Sequence, residues 1–419
     1  MRKLLSALAL ATVVLGACSD ETPTATAIEP VFARLPSFAV GVTSDADGGE
    51  GSFRAAIEAA NADPSITAIR FAPGVGTIAL ASSVTYEGAQ ALSIDGLGAV
   101  IDASGVLDDG IVANGGGSLS LENLTVSNAP EDGVFVDVPA LASGTIAVEL
   151  RNVTISGNHE FGLHIDDQTN GSAASIVLNV VLSRIEGNGF PPGATDKDGI
   201  RVDEGGPGDI ESLIDRSTFT GNAADGIEYD EKGDGDVHVI ARNSHFDLNG
   251  TQPQDPTDLE DGFDIDEAGL GSVYAEFLNV TANDNDDGGI DLDEEGPGDI
   301  VIWMNQVQAL NNVDDNIKAS EDADVEETPE AGDGSGGIRF QLLNVVSTGS
   351  GDNGIQFEEF GVGDVNGRLV RTISSYNADD GVNIDQQDEG DGLVRVQAST
   401  FEGNADKDVN IDGVTVIGG

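Results

Sequence analysis

A seven-residue stretch decides the fold of this chain: Asp198-Gly199-Ile200-Arg201-Val202-Asp203-Glu204. It returns as Asp225-Gly226-Ile227-Glu228-Tyr229-Asp230-Glu231, as Asp261-Gly262-Phe263-Asp264-Ile265-Asp266-Glu267 and, shortened, as Gly289-Ile290-Asp291-Leu292-Asp293-Glu294. Weaker copies begin at Gly110, Gly133, Gly162, Asn316, Gly354, Gly381 and Asp408. Several steps between copies are 27 residues long, and the longer steps contain insertions. A fixed register held over so many copies indicates a solenoid rather than an ordinary β-sandwich.

Each copy contains three short runs of alternating apolar and polar residues, separated by Gly, Asn and Asp. The first run follows the turn glycine, the second follows a turn such as Gly206-Pro207-Gly208-Asp209, and the third resembles Val153-Thr154-Ile155-Ser156. Alternation with a period of two, broken by turn residues, predicts strands. Three strands in about 27 residues make one rung of a parallel β-helix, with rungs stacked about 4.8 Å apart. The predicted fold is all-β, a right-handed parallel β-helix.

The repeat register also separates core positions from surface positions. The first and third residues after the turn position are apolar in most rungs and are predicted to fill the core: Ile200, Val202, Ile227, Tyr229, Phe263, Ile265, Ile290, Leu292, Ile355, Phe357, Val382 and Ile384. A recurring asparagine lies four residues before the next turn position and predicts a ladder of stacked amides: Asn158, Asn222, Asn285, Asn312, Asn377 and Asn404. We interpret this ladder as structural.

The N-terminal part of the repeat region has a different pattern. In the stretch 51–61, Phe53, Ala56, Ile57 and Ala60 share one helical face, and Ser52 is placed to cap the helix. Because a solenoid exposes its core at an open end, we expect this short helix to cover the N-terminal end.

This helix and the strands after it, including Leu92-Ser93-Ile94-Asp95-Gly96, resemble bacterial surface β-helix proteins that carry a Cys-Ser-Leu-Arg-Glu-Ala-Ile motif. Gly51, Phe53 and Ala55 replace the Cys, the Leu and the Glu of that motif. The resemblance covers about 40–419 and implies a pectin-lyase-like fold. It implies no particular activity, because that family has no single one.

The first residues have the layout of a cleaved export signal. Arg2-Lys3 precedes an apolar run from Leu4 to Leu15, and the run ends in Leu15-Gly16-Ala17-Cys18, which resembles a bacterial lipobox. We therefore expect a signal peptide at 1–17, lipidated Cys18 with a tether at 18–37, a cap with the first rungs at 38–108, and acidic repeats at 109–419. Ser19 favours the outer membrane or cell surface as the anchoring place. An ordinary signal peptide with an incidental cysteine is the alternative.

The charge balance limits the partners that the protein can bind. The chain has 75 Asp and Glu residues against 18 Lys and Arg residues, a formal net charge of -57. This charge repels nucleic acids and anionic membrane surfaces, so contact with a membrane is expected only through the lipid. Divalent cations are the expected small partners, together with a polysaccharide or a cell-surface partner.

Acidic residues recur four, five and ten residues after the turn position. Stacked carboxylates about 5 Å apart repel one another, and Ca²⁺ offsets such repulsion with six to eight oxygen ligands. The predicted Ca²⁺ ligands are Asp203, Glu204, Asp209, Asp230, Glu231, Asp236, Asp266, Glu267, Asp293, Glu294, Asp299, Glu358, Asp364 and Asp385. The alternative is a solvated acidic face that binds no metal.

The second residue after the turn position forms a column of mixed charge on successive rungs, which is either the best candidate for a substrate groove or a solvated surface: His164, Arg201, Glu228, Asp264, Asp291 and Lys318. Insertions at 190–197 and 251–260 leave from the same turn, and they are interpreted either as walls of one binding surface or as tolerated surface insertions; 322–335 is a third, acidic insertion. We expect a non-catalytic, Ca²⁺-binding surface lipoprotein that acts in adhesion or glycan binding. A Ca²⁺-dependent polysaccharide lyase or epimerase, and a structural surface spacer, are the alternatives.

Overall fold

The computed structural model describes residues 38–169, 171–190, 196–251, 260–321, 336–387 and 390–418. The signal peptide, Cys18 and the tether predicted for 1–37 lie outside these ranges, as do 191–195, 252–259 and 322–335 of the three insertions. Within the described ranges, no helix combines the length and the apolar character needed to cross a bilayer.

Three parallel columns of strands form a β-helix, as the repeat predicts. The first column is a twelve-stranded sheet. Its strands are Val84–Tyr86, Ile111–Ala113, Val134–Asp137, Leu163–Asp166, Ile200–Glu204, Ile227–Glu231, Asp264–Glu267, Asp293–Glu294, Ile317–Glu321, Ile355–Glu359, Val382–Gln386 and Asn410–Asp412. The sheet is called the groove sheet below.

The other two columns belong to one 24-stranded sheet. Its long strands are Phe38–Val42, Ile66–Phe71, Leu92–Asp102, Leu119–Ser127, Ser143–Arg151, Ala173–Val181, Ile210–Asp215, Val237–Arg242, Val273–Leu278, Ile300–Asn305, Ile338–Leu343, Asn366–Val370, Leu393–Gln397 and Thr415–Gly418. Its short strands are Thr77–Ala79, Thr154–Ser156, Arg184–Glu186, Thr218–Thr220, His245–Asp247, Thr281–Asn283, Gln308–Leu310, Val346–Thr348, Ile373–Ser375 and Thr400–Glu402.

The strands pair in the register that the repeat predicts. Ile200 lies opposite Ile227 and Val202 lies opposite Tyr229, and all four side chains are 0% exposed. The turn glycines permit this close stacking: a Cβ atom on Gly199 would lie 2.5 Å from the carbonyl oxygen of Gly226. The predicted core positions are therefore confirmed, and any side chain at such a glycine would push adjacent rungs apart.

The asparagine ladder is present and includes two residues that the sequence interpretation omitted. Asn158 donates to Asn188 at 2.9 Å, Asn188 donates to Asn222 at 3.1 Å, and Asn222 donates to Asn249 at 3.0 Å. Asn249 continues the ladder to Asn285 at 3.3 Å. Because these side chains are almost fully buried, each amide depends on its neighbours for hydrogen bonds.

The predicted capping helix is also confirmed. It runs over Phe53–Ala62, and the Ser52 hydroxyl accepts from the backbone N–H of Ala55 at 3.1 Å. Phe53 and Ile57 are buried in the core cluster, with the Phe53 ring 5.5 Å from that of Phe71. The helix therefore supplies apolar side chains to the N-terminal end of the core, beside Val42 of the preceding strand.

Candidate functional site: an acidic groove with two clamped cations

A polar groove lies on the outer face of the groove sheet, over its central rungs. The structure aligns the predicted substrate-groove residues in register, with His164 opposite Arg201, Arg201 opposite Glu228, and Glu228 opposite Asp264. The cavity has a volume of about 360 Å³. It is lined by Asp196, Arg201, Asp225, Glu228, Asp230, Lys232, Glu260, Asp261, Asp264, Asp266, Asp287, Asp291 and Asp293.

Arg201 occupies one end of the groove and is surrounded by carboxylates. Its guanidinium lies 2.9 Å from Asp203, 3.0 Å from Asp196 and 3.1 Å from Asp230, and it also pairs with Glu228. The side chain is only 13% exposed, so burial opposes its charge, but the carboxylates prevail and raise the pKa of Arg201 far above its ordinary range. Arg201 is therefore a fixed positive charge.

Lys318 occupies the other end, and it too is held as a cation. Its ammonium lies 3.0 Å from Asp291 and 3.0 Å from Asp293. Burial opposes the charge, but the two carboxylates raise the pKa of Lys318 far above its ordinary range. Arg201 and Lys318 lie four strands apart, or roughly 19 Å at the usual spacing of parallel strands.

His164 extends the column beyond Arg201. Its Nε2 lies 2.7 Å from Asp203 and its Nδ1 lies 3.4 Å from Asp132. Burial opposes protonation of the ring, but the hydrogen bonds to these two carboxylates raise the pKa of His164 to about 9. The ring is therefore protonated at neutral pH, when it donates to Asp203 and forms an ion pair with Asp132.

Between the two cations, several carboxylates have no basic partner, and these include four aspartates. Within the described ranges, no Lys, Arg or His nitrogen lies within 4.0 Å of Asp225, Asp261, Asp264 or Asp266. Burial, followed by repulsion from neighbouring carboxylates, raises the pKa values of Asp225, Asp261 and Asp264 well above their usual range. The same causes raise the pKa of Asp266 to about 7. The middle of the groove is therefore an uncompensated negative site that favours protons or metal cations.

The oxygen atoms of this region are close enough to share metal ions. The trio Asp261, Asp264 and Asp291 brings one oxygen from each residue to within 4.8 Å of the other two, and Asp225, Glu228 and Asp264 do the same. Oxygens on opposite sides of a Ca²⁺ ion lie about 5 Å apart, since Ca–O distances are 2.3–2.6 Å. Oδ1 of Asp261 and Oδ1 of Asp291 are buried and accept no hydrogen bond, so both remain available as ligands.

The predicted Ca²⁺ ligands divide into separate groups in the structure. Asp203, Asp230, Asp266 and Asp293 face the groove sheet's outer side, but three of them pair with cations: Asp203 with His164 and Arg201, Asp230 with Arg201 and Lys232, and Asp293 with Lys318. Asp266 forms no ion pair among the described residues. Glu358 and Asp385 belong to later rungs of the same outer column.

The residue after each of these aspartates lies on the inner side of the strand. Glu204, Glu231, Glu267 and Glu294 are 0% exposed, and each accepts a hydrogen bond from the N–H of the turn glycine two positions later, at 2.7–3.0 Å. The sequence interpretation treated both positions as one acidic column. The structure separates them, because consecutive residues of a strand point to opposite faces.

The column ten residues after the turn position links neighbouring rungs. Oδ1 of Asp209 accepts from the N–H of Asp236 at 3.1 Å, Oδ1 of Asp236 accepts from Ser272 at 3.0 Å, and Oδ1 of Asp299 accepts from Gly337 at 3.0 Å. Asp364 accepts from Asp391 at 2.6 Å. One oxygen of each aspartate is therefore committed to the backbone of the next rung.

Asp225 and Asp261 are the main groove residues that sequence reasoning missed. They precede the turn glycines Gly226 and Gly262, in a position interpreted as part of the turn. The sequence does contain a signal for these residues, because an aspartate directly precedes the turn glycine in three well-formed copies of the repeat. These copies lie beside the insertions at 190–197 and 251–260. The described ends of those insertions, Asp196 and Glu260, do lie at the groove.

Comparison with known proteins identifies the architecture. The A-module of a mannuronan C-5 epimerase from Azotobacter vinelandii is 12% identical, with 90% of this chain and 100% of that chain covered and a TM-score of 0.55. This chain is a right-handed parallel β-helix. The pectate lyase Pel9A matches with 14% identity, 90% and 78% coverage and a TM-score of 0.38. The catalytic domain of a GH87 α-1,3-glucanase matches with 11% identity, 90% and 68% coverage and a TM-score of 0.42.

Searches by sequence give no such link: no family model matches the chain, and no curated protein does. At identities this low, the structural similarity concerns the fold.

Proposed function

We propose that the protein is an exported, lipid-anchored surface protein that binds divalent cations, Ca²⁺ first, in the groove between Arg201 and Lys318, and holds a glycan through them. The observation that carries this proposal is the group Asp225, Asp261, Asp264 and Asp266, four clustered carboxylates with no basic partner among the described residues. Burying charges of one sign is costly unless something neutralises them. A divalent cation does so with the oxygens already in place.

Ca²⁺ suits this groove better than Mg²⁺. Ca²⁺ accepts six to eight oxygens in flexible geometry, whereas Mg²⁺ requires a near-ideal octahedron at shorter distances. A trio such as Asp261, Asp264 and Asp291 supplies only part of that coordination shell. The remaining positions are open to water, sugar hydroxyls or sugar carboxylates, which would join the glycan to the protein through the metal.

The glycan part of the proposal is supported by the fold, since the A-module with the same architecture is named as a mannuronan C-5 epimerase. The basic residues of the groove do not supply the base that a lyase or epimerase needs. A lyase or epimerase needs a group that accepts a proton from the sugar. In the alternative hypothesis of a lyase or epimerase, Arg or Lys is this base. Arg201, Lys318 and His164 are all held protonated by their carboxylate partners.

Calorimetric titration with Ca²⁺ tests the metal site. Asp261→Asn with Asp264→Asn should abolish the tight binding, while the matched pair Asp385→Asn with Asp412→Asn, stacked carboxylates of the same sheet outside the groove, should leave it unchanged. Equal effects of the two double variants would mean general screening rather than a site.

A glycan array read in Ca²⁺ and in chelator tests the partner. Retention in Ca²⁺ without new reducing ends or unsaturated uronates supports a binding protein. Depolymerised or epimerised product would support the enzyme instead. A lack of retention on any glycan, with Ca²⁺ bound, would leave the structural spacer as the better account.

A further inference from the structure

A second surface, on the outer face of the long strands, combines aromatic and arginine side chains in two neighbouring register columns. The rings of His238 and Tyr274 are stacked on adjacent strands, with centroids 4.4 Å apart and planes at 14°. Trp303, the single tryptophan of the chain, points outward from the next strand, Ile300–Asn305, where it lies opposite Glu276 and two residues beyond the position opposite Tyr274. Its column continues through Gln341, Arg368 and Arg395 on the following three strands.

The two arginines in this column are unusual for so acidic a molecule. Arg368 lies directly opposite Arg395, and like charges in that arrangement destabilise a sheet. Arg368 donates to Oε1 of Gln341 at 2.6 Å. Within the described ranges, however, neither Arg368 nor Arg395 has a carboxylate within ion-pairing distance. Acidic residues outnumber basic ones about fourfold in this chain. Two neighbouring arginines without a carboxylate partner therefore indicate a binding site for an anionic ligand group.

The aromatic side chains suit a sugar ring. Tyr274 and Trp303 are only partly exposed, so they form part of a flat sheet surface rather than projecting from it. The negatively polarised face of an aromatic ring attracts the C–H groups of a pyranose, and tyrosine and tryptophan are typical of surfaces that bind one apolar and one polar side of a ligand. Trp303 and Arg395 lie three strands apart, roughly 14 Å at the usual spacing.

We propose that this face binds a mainly neutral glycan that carries a uronate residue. Trp303 and Tyr274 stack against the sugar rings, while Arg368 and Arg395 bind the uronate carboxylate with paired N–H donors. This site is separate from the acidic groove and needs no metal ion. It therefore gives the protein a second, cation-independent contact with a glycan that contains uronate.

The net charge decides against a nucleic acid at the same face. A single strand carries one phosphate for every nucleotide. Each phosphate that the two arginines do not bind would be repelled by a protein with a formal net charge of -57. A glycan with one carboxylate among neutral sugars avoids this repulsion. At physiological salt, interactions with charges more than about 8 Å away are largely screened. The uronate carboxylate therefore interacts mainly with the two nearby arginines.

The test is calorimetry in chelator with two matched probes, an aldotetraouronic acid, which carries one glucuronate on a xylose chain, and neutral xylotetraose. The full-length protein should prefer the acidic probe by about tenfold or more. Trp303→Ala should weaken both probes by about tenfold. Arg368→Gln with Arg395→Gln should remove the preference and leave the affinity for xylotetraose unchanged.

The control is Arg151→Gln with Arg184→Gln, which removes the same charge from distant rungs and should retain the preference. Equal affinity of the wild-type protein for the two probes, or no loss in the Trp303 and arginine variants, would overturn the proposal. Tighter binding of an oligodeoxynucleotide that depends on the same residues would overturn it in favour of nucleic acid. Because chelator is present throughout, failure here leaves the Ca²⁺ groove unaffected, and failure of the groove leaves this result standing.

Discussion

Two acidic columns of the groove sheet are neighbours in sequence and opposite in environment. Asp203, Asp230, Asp266 and Asp293 face outward, while the next residues, Glu204, Glu231, Glu267 and Glu294, are 0% exposed. The outer column meets Arg201, Lys318 and His164. Within the described residues, no Lys, Arg or His forms an ion pair with those four glutamates. The two columns therefore neutralise repeated negative charge by different means.

The inner column does so with protons. Each glutamate faces the glutamates of adjacent rungs, and burial together with these neighbours raises the pKa of Glu231 to about 11 and that of Glu294 to about 9. The raised pKa values favour the protonated, neutral form of these two carboxyls, which removes the repulsion between stacked rungs. Gln386 occupies the same register position after Glu359, and its Oε1 accepts from the N–H of Val365 at 2.9 Å. The chain thus contains its own neutral substitute for a protonated glutamate.

The largest effect should come from removing the positive charge of Arg201, which pairs with carboxylates of the outer column. Arg201→Met leaves Asp198 and Glu228 buried without their basic partner and Asp230 with Lys232 alone, and the free energy of unfolding should fall by about 4 kcal/mol. Urea denaturation measures this loss. Millimolar Ca²⁺ should recover part of it, because a cation replaces the lost charge. A loss below about 1 kcal/mol would contradict the role given to Arg201.

In the inner column, side-chain removal and neutral replacement should differ. Glu267→Ala leaves the N–H groups of Gly269 and Gly271 without their acceptor and opens a cavity, at a cost of about 3 kcal/mol. Glu267→Gln keeps the acceptor and should cost about 1 kcal/mol or less. The same denaturation assay compares them, and equal losses for Ala and Gln would show that the carboxamide cannot replace the glutamate.

The inner column also makes stability depend on pH in a definite direction. Because the pKa values of Glu231 and Glu294 are raised from 4.5, the folded chain binds more protons than the unfolded chain between pH 4.5 and about 9. The free energy of unfolding should therefore fall as the pH rises through this window. Denaturation in chelator at several pH values measures the slope. Glu231→Gln with Glu294→Gln should flatten it, and an unchanged slope would exclude these residues as its source.

The smallest effect should come from an ion pair outside both columns. Arg184 pairs with Glu186 on a short strand, and its side chain is 59% exposed. Arg184→Ala should change the free energy of unfolding by less than about 0.5 kcal/mol, since solvent screens exposed pairs. A cost like that of Arg201→Met would mean that burial does not set the difference between the two arginines.

Much of the fold could be predicted because the same pattern of apolar, polar and turn residues recurs in many copies of the repeat. The core positions, such as Ile200 and Val202, and the helix beginning at Phe53 follow from alternation and helical spacing. The same alternation extends to Glu204 and places it inside, a step that the sequence interpretation did not take. Asn188 and Asn249 escaped because insertions of different length separate them from the next turn glycine.

The candidate site was harder to predict than the fold. The mixed column from His164 to Lys318 was visible as a pattern, but the pairing of both basic residues with carboxylates depends on side-chain geometry across rungs. Asp225 and Asp261 lie in turns, where the alternation of apolar and polar residues does not indicate which side chains face the groove. Their approach to Asp264 and Asp291 is a property of the stacked rungs together, and no single copy of the repeat contains it.

The most direct test of the groove is a thermal melt at pH 8 in Ca²⁺, Mg²⁺, Na⁺ at matched ionic strength, and chelator. With Ca²⁺ at a hundredfold excess over its dissociation constant, one site should add about 2.7 kcal/mol to the free energy of unfolding, well above the effects of Mg²⁺ and Na⁺. The gain should disappear in Asp261→Asn with Asp264→Asn. Equal stabilisation by all three salts, or an unchanged Ca²⁺ response in that variant, would contradict a metal site in the groove.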